Sequence, residues 1–505
     1  MRKSIIYLCA CALSGMMVTT SCQDNLDSDA GVSNTRSVNI DKDLFAIKGC
    51  INVKLTKGTN QSIPATRSGS VEMQSVPSAM TSAMQYSGAY KMERVFKPAG
   101  IYEARTVAEG LDRWYTIYFD KRKEVAAVLD QFKKAEGVEC AERVLPMARP
   151  TVKMTPYSPS GASMQATTST FDDPLLAKQW HYYNNGTINP RAVKGADCNV
   201  KPVWEKYTTG KKNVIVAVVD GGIDITHEDL KDNLYVNEKE KNGQPNVDDD
   251  GNGFVDDIYG YNFVTAKDVV GGTIEPDDGG HGTHVAGTVA ARNNNGKGGA
   301  GIAGGNGSPD SGVRLLSCQI FRNKDEQGDA AAAIKYAADN GAVICQNSWG
   351  YSSTAGVTSM PQLLKEAVDY FIKMAGCDAN GNQRPDSPMK GGVVMFAAGN
   401  ENKEFSAYPA CYAPTVSVAA MAWDFSKASY SNYAKWVTIT APGGDQDRFG
   451  TEAGVLSTVP KKKVASGYAY FQGTSMACPH VSGIAALIAS NFGKTGFTKE
   501  SLKSR

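Results

Sequence analysis

The sequence predicts an α/β protein, a three-layer fold with a parallel sheet flanked by helices, preceded by a small α+β unit. Three observations carry this. Asn213 to Val219 is a continuous run of mostly β-branched residues ending in Asp220-Gly221-Gly222. That is the pattern of a parallel strand buried on both faces, with a carboxylate at its C-terminal edge. Ala342 to Cys345 and Gly391 to Ala398 repeat the theme, leading into Gln346-Asn347-Ser348-Trp349-Gly350 and Gly399-Asn400. Glycines then precede apolar, helix-compatible patterns at His281 to Ala291 and, after Gly473-Thr474, at Val481 to Ser490. In open α/β sheets, ligands and catalytic groups gather at the C-terminal strand edge.

Residues 1–22 predict a secretory signal: Met1-Arg2-Lys3 precedes the apolar run Ile5 to Val18, too short to span a membrane. The run ends in Thr19-Thr20-Ser21-Cys22, where a cysteine after a small residue resembles a bacterial lipoprotein cleavage site with Cys22 acylated. Thr19 stands where that pattern expects a leucine-like residue, so ordinary cleavage and secretion is the alternative. Either way the chain is exported from a bacterial cell; with the lipid it is anchored in the cell envelope, at the outer membrane or cell surface. Residues 23–40 read as a flexible tether. Residues 41–150 hold the α+β unit: strand Cys50 to Leu55, a mobile Ser/Thr/Met-rich loop Asn60 to Ser87, strand Tyr115 to Phe119, helix Arg122 to Ala135 and closing strand Val138 to Val144. Residues 151–171, rich in Ser, Thr, Pro and Met, form a linker. Residues 172–505 form the large domain, opening with Asp173-Pro174 and Trp180-His181.

Gly473-Thr474-Ser475-Met476-Ala477 places a serine at a helix N-terminus. Unpaired backbone N–H groups and the helix dipole there favour a developing oxyanion, although a serine in that position is commonly just an N-cap. Two other blocks change the reading. Asp220 ends a strand, and His281 opens a helix in a motif holding two of the chain's five histidines. The order Asp220, His281, Ser475 is the one found in subtilisin. With Gly399-Asn400 and Gln346 to Gly350 alongside, residues 172 to 490 resemble the subtilases, the subtilisin-like serine proteases of peptidase family S8.

That resemblance implies an endopeptidase hydrolysing peptide bonds in proteins. Ser475 is the expected nucleophile, His281 its base, Asp220 the group orienting the imidazole and Asn400 an oxyanion donor; Ser348, Trp349 and Gly350 are expected to line the specificity pocket. It also implies that residues 41–150 are an inhibitory, chaperoning prodomain removed by self-cleavage. The side-chain chemistry agrees, because a serine hydroxyl needs an adjacent base at neutral pH, and imidazole supplies one. The alternatives are an independent binding domain at 41–150, and a surface lipoprotein that binds protein partners, either catalytically silent or confined to its own maturation.

A second motif spans Asn246 to Asp257. Asp248, Asp250 and Asn252 alternate and Gly253 permits a sharp turn, as in the first half of an EF-hand calcium loop. Tyr259 stands at the twelfth position in place of glutamate, with Asp256 or Asp257 as substitutes. So many acids repel one another unless solvated or neutralised, so a structural calcium is expected, with a solvated acidic turn as the alternative. The subtilase resemblance adds Asp229 as a calcium ligand, paired with the loop Asn293-Asn294-Asn295. His181, His227, His284 and His480 are read as structural, with His227 in an exposed stretch.

A formal charge of +1 over 505 residues gives no argument for a nucleic-acid partner. The expected partners are protein or peptide substrates, the chain's own prodomain, and a membrane through the lipid anchor only. Export permits pairing among the eleven cysteines, but no closely spaced pattern marks a metal or redox site. The chain stops at Leu502-Lys503-Ser504-Arg505 inside a helix pattern, as a catalytic domain truncated at its C-terminus would.

Overall fold

Five antiparallel strands build the N-terminal unit of the computed structural model, which describes residues 36–37, 40–41, 45–64, 66, 69–148, 152–159, 170–264, 267–268, 279–322 and 326–505. The signal, Cys22 and most of the tether lie outside the described residues. The strands are β1 (Cys50–Leu55), β2 (Ser70–Val71), β3 (Lys91–Arg94), β4 (Trp114–Tyr118) and β5 (Val138–Arg143), in the order β2-β3-β4-β1-β5. Helices α1 (Thr81–Ser87), α2 (Glu103–Ala108) and α3 (Val125–Lys134) accompany them. Val125, Val128, Leu129 and Phe132 recur at helical spacing on α3 and bury against Ile51, Val53 and Ile117 of the sheet. The segment Asn60 to Ser87, expected as a mobile loop, instead carries β2 and α1. Met80, Ala83 and Met84 anchor it in the same core, and apolar residues so thinly spread leave no periodicity to read.

The described start of the linker is part of the fold: β6 (Lys153–Pro156) is a strand of the large domain. That domain is built on β7 (Ile215–Asp220), β8 (Gly260–Asn262), β9 (Lys267–Asp268), β10 (Arg314–Gln319), β11 (Ile344–Asn347), β12 (Val393–Ala397), β13 (Val416–Met421) and β14 (Ile439–Pro442). They form one eight-stranded sheet in the order β9-β8-β10-β7-β11-β12-β13-β14, all parallel except β9. A separate antiparallel sheet joins β15 (Val455–Thr458), β16 (Tyr468–Gln472) and β6, with Lys153 opposite Gln472.

Alternation along β7 sorts its side chains between two cores. Val216 and Val218 face one layer, with Val285, Ala286 and Val289 of α4 (His281–Ala290) and Met476, Ala477 and Val481 of α7 (Thr474–Phe492). Ala217 and Val219 face the other, with α5 (Ala330–Asp339) and α6 (Gln362–Met374). This is the expected three-layer fold.

The N-terminal unit lies on the α5–α6 face. Val95, Phe96, Leu111 and Trp114 join the core beneath those helices. The Trp114 indole N–H donates to Glu366 Oε2 at 2.7 Å, and the Lys54 ammonium pairs with Glu366 Oε1 at 2.7 Å. α6 starts at Pro361 without a side-chain cap of its own. Glu142 of β5 supplies one, accepting from the N–H groups of Gln362 (2.8 Å) and Leu363 (3.2 Å), where an acid suits the helix dipole. The eight cysteines among the described residues are all free thiols, and no helix among these residues is long and apolar enough to cross a membrane.

One contact in this fold leaves no room at all. A β-carbon on Gly282, in the first turn of α4, would stand 2.4 Å from the Gly222 carbonyl oxygen beyond β7. Gly282→Ala must therefore push helix and strand apart, an overpacking cost of about 1–3 kcal/mol. In thermal melts it should lower the transition by a few degrees. Gly58→Ala, where a β-carbon meets nothing within 4 Å, should not, and equal melting of the two variants would refute the close-contact argument.

Candidate active site

Asp220 is the last residue of β7 and is 1% exposed. Its Oδ1 accepts the His281 Nδ1–H at 2.8 Å and the Gly221 N–H at 2.7 Å. The carboxylate thereby fixes the imidazole's orientation and tautomer, leaving Nε2 with the lone pair a base needs. Gly282, lacking a side chain, lets the start of α4 come this close to the strand.

Ser475 is the second residue of α7, buried, behind the cap residue Gly473. Its hydroxyl is 3.4 Å from the Ser348 carbonyl, while the Ser348 hydroxyl donates to the Ser475 carbonyl at 2.9 Å. In the first helical turn the Ser475 N–H has no helix carbonyl to bond. Asn400 follows β12 across the sheet edge. Its Oδ1 accepts from both the N–H (2.9 Å) and the hydroxyl (2.8 Å) of Thr474, and that hydroxyl in turn accepts the Gly399 N–H at 3.1 Å. With the oxygen so held, the amide NH₂ must face the other way. A β-carbon on Gly473 (φ 152°) would stand 3.4 Å from Asn400 Nδ2 and 3.6 Å from Ser475 N. The space left by that absent side chain is a cradle bordered by two N–H donors. Asp220, His281, Ser475 and Asn400 thus lie at one sheet edge, which brings together a hydroxyl, an oriented imidazole and two N–H donors, the groups that nucleophilic catalysis with oxyanion stabilisation requires.

Gly350, named from sequence as a substrate contact, exchanges backbone hydrogen bonds with Ala148: Ala148 N–H to Gly350 O at 2.8 Å and the reverse at 3.2 Å. Trp349, 1% exposed, walls a cavity with Tyr351, Glu401, Phe405 and Tyr408. Gln327 grips the same N-terminal tail, donating to the Leu145 carbonyl at 3.0 Å and accepting the Met147 N–H at 2.8 Å. On the far side of Ser475, Val152 lies against Gly473, its Cγ1 3.4 Å from where a β-carbon there would be, and β6 follows along β16. Nothing in the linker's composition announces this second attachment.

The acidic loop is arranged differently from its sequence reading. Carboxylate oxygens of Glu240, Asp250 and Asp257 lie within 4.8 Å of one another. Burial raises all three pKa values, that of the fully buried Asp257 most of all. Asp248 instead braces the turn by accepting the N–H groups of Asn252 (3.0 Å) and Gly253 (2.9 Å), and Asp256 accepts that of Asn246 (2.8 Å). Asn252 turns its amide NH₂ to Asp250 (3.1 Å) and Asp257 (2.9 Å) and spends its oxygen on the Phe254 N–H at 2.7 Å. Alternating acids in so tight a turn bond their own backbone before they converge. Glu240 was missed, since nothing in Glu238-Lys239-Glu240-Lys241 distinguishes it from a solvated charge run.

Asp229 belongs to no carboxylate cluster among the described residues. Asn295 does reach it (Nδ2 to Oδ1, 2.8 Å), but the Gly299 N–H (3.1 Å) and the Tyr468 hydroxyl (3.3 Å) fill the other oxygen. Burial pushes Asp229 up to about 8 and the neighbouring Asp173 up to about 7.

The remaining histidines are structural, and His227 is not exposed: it is 2% accessible and bonds the Gly467 carbonyl at 2.9 Å. His480 bonds the Met476 carbonyl through Nδ1 (2.7 Å), so its Nε2 accepts from His181 Nδ1–H at 2.8 Å. His284 donates to the carbonyls of Val455 (3.0 Å) and Ala469 (3.2 Å).

A family profile described as "Subtilase family" matches residues 211–505, and another, "N-terminal of Subtilase family", matches residues 51–186. The chain belongs to the subtilase family, with an N-terminal prodomain ahead of the protease fold. The "Major intracellular serine protease" of Bacillus subtilis is 33% identical over 294 residues, covering 57% of this chain and 72% of that protein. The "Thermophilic serine proteinase" of Bacillus sp. (strain AK1) is 33% identical over 288 residues, covering 57% of this chain and 54% of the relative. The structure of fervidolysin from Fervidobacterium pennivorans, "a keratinolytic enzyme related to subtilisin", shares the fold: TM-score 0.54 at 22% identity, over 93% of this chain and 59% of that one. The chain spans about half the length of the AK1 proteinase, 54%.

Burial lowers the imidazole pKa of His284 to about 3 and of His480 to about 4, and holds His181 well below its ordinary value. Unfolded, each takes a proton near pH 6.5; folded, it stays neutral until far lower. Their contribution to stability is therefore intact above 6.5 and lost as the pH falls towards 3 or 4. Raised Asp173 and Asp229 act in the opposite sense between about 4 and 8, so wild-type melting alone is ambiguous. His480→Gln, which keeps those acids, should show a smaller fall in melting temperature between pH 7 and 4.5 than its parent; identical falls would count against the account.

Proposed function

We propose that this chain is a serine endopeptidase made as a zymogen, which cuts peptide bonds in proteins through Ser475, His281, Asp220 and Asn400. The observation that carries the reading is the cradle at Gly473, two N–H donors beside a serine at the same sheet edge as an imidazole fixed by a buried carboxylate. Ser475 Oγ leaves the Ser348 carbonyl and attacks the substrate's carbonyl carbon while His281 Nε2 takes its proton. The charge that develops on the carbonyl oxygen is met by the Asn400 NH₂ and the Ser475 N–H. Collapse breaks the C–N bond, and His281 returns the proton to the leaving amine. Water, activated by the same imidazole, then hydrolyses the acyl-enzyme. Asp220 stabilises the imidazolium that forms.

The prodomain inhibits by occupying the substrate's place. Its tail pairs with Gly350 through a single bridge at Ala148 and is held again as a strand from Lys153, which supports a self-processing bond between Ala148 and Val152. Purified wild-type protein should shorten to the size of the catalytic domain and hydrolyse a chromogenic peptide, with inhibition by a serine-directed reagent. Ser475→Ala should do neither, and Asn400→Ala should process about 10²–10³-fold more slowly, the loss known for such a donor in subtilisin. A Ser475→Ala protein that still matures would overturn the reading.

We further assign the Glu240, Asp250 and Asp257 cluster to a structural calcium ion. Oxygen-only ligands in a largely buried site suit a hard cation, whose charge would offset the burial and mutual repulsion that raise the pKa values of these acids. A chelator should lower the melting temperature of the Ser475→Ala protein, reversibly on adding calcium, and Asp250→Asn with Glu240→Gln should abolish that response. An unchanged melt would leave a self-bonded acidic turn. The N-terminal sequence supports export with lipidation at Cys22, and incorporation of a labelled lipid precursor that persists in Cys22→Ala would exclude it.

A further inference from the structure

Arg105, on α2 of the prodomain, leaves its own domain and is almost wholly buried in the other, 4% exposed. Three separate parts of the catalytic domain converge on it. Asp339, the last residue of α5, pairs through Oδ1 with one terminal nitrogen. The carbonyls of Cys377 (3.1 Å) and Asp378 (2.8 Å), in the turn after α6, accept from the other. The guanidinium carbon lies 4.2 Å from the ring centre of Tyr102, a prodomain residue, and 5.6 Å from that of Tyr370 on α6. The Tyr370 hydroxyl also donates to Asp339 Oδ1 at 2.7 Å, and the buried Lys335 ammonium pairs with Oδ2.

These acceptors suit a planar fork rather than a point charge. One terminal nitrogen meets a carboxylate while the other meets two carbonyls, and the flat face rests beside aromatic rings. Lys335 already balances Asp339, so the socket stays electrically tolerable when Arg105 is withdrawn. None of these groups touches the residues assigned to catalysis.

We propose that Asp339, Tyr370 and the carbonyls of Cys377 and Asp378 form a guanidinium-binding exosite on the catalytic domain. Arg105 fills it in the zymogen, and an arginine side chain of a protein substrate fills it after the prodomain leaves. The second half rests on the zymogen reading above; the first does not.

The test uses full-length Ser475→Ala protein, which cannot cut itself, so its result is independent of whether wild type self-processes. In Arg105→Ala on that background, amide hydrogen exchange should rise about tenfold or more over residues 103–108 and 376–380. Protection of β1 should be unchanged. Millimolar ethylguanidinium should restore it, ethylammonium at the same ionic strength should not, and adding Asp339→Asn should remove the rescue. In the unmutated Ser475→Ala protein, ethylguanidinium should instead compete with Arg105 and raise exchange over the same residues. This second arm holds even if Arg105→Ala fails to fold. Rescue by ethylammonium as well as ethylguanidinium, or absence of both rescue and competition, would overturn the proposal.

Discussion

The active edge depends on how closely the start of α4 can approach the end of β7. Asp220 Oδ1 and His281 Nδ1 are 2.8 Å apart because the two backbones meet through Gly282 and Gly222 with no side chain between them. Parallel register extends the arrangement sideways. Val219 of β7 stands opposite Asn347 of β11, and Asn347 opposite Phe396 of β12. Asp220, Ser348 and Asn400 therefore emerge from three adjacent strands at the same edge. A shift of one residue in either pairing would turn each side chain to the opposite face.

α7 binds this edge to the core. The helix that begins at Thr474 is buried along most of its length, sharing a cluster with α4 and β7. Ser475 is thus positioned by hydrophobic burial of the turns that follow it, and Thr474 aligns Asn400 from the same helix. Rigidity of this kind has an electrostatic cost. His181, His284 and His480 sit in these layers as neutral imidazoles, each bonded to a carbonyl or to another ring, and protonation of any of them would strand a charge.

The protease fold and the edge residues were legible because their signals are local. A doubly buried strand needs apolar residues at every position, and the glycines stand where backbones touch. What could not be read depends on chain segments distant in sequence. Glu142 looks like any strand-edge acid until α6, more than two hundred residues later, proves to lack a cap. Lys153–Pro156 has linker composition and becomes a strand only because β16 offers it an edge. His227 looked exposed among polar neighbours, whereas the segment around Gly467 closes over it. The acidic loop erred in another way. Its motif identified the correct turn, but the turn's own N–H groups claim Asp248 and Asp256, and the third carboxylate comes from Glu240.

Substrate and prodomain use the same language up to a point. Backbone pairing at Gly350 and along β16 would serve any extended peptide, so in the proposed zymogen the prodomain would inhibit only while its own tail outcompetes substrate. Before the connecting bond is cut, tethering supplies that advantage as effective concentration. Afterwards the contacts away from the cleft must hold the prodomain: Glu142 at the start of α6, Lys54 and Trp114 on Glu366, and Arg105 in its socket. Cutting and release are then separate steps governed by different residues. In the proposed maturation the first depends on Ser475 and its neighbours and the second on the α5–α6 face, so a processed protein would stay inactive until that face lets go.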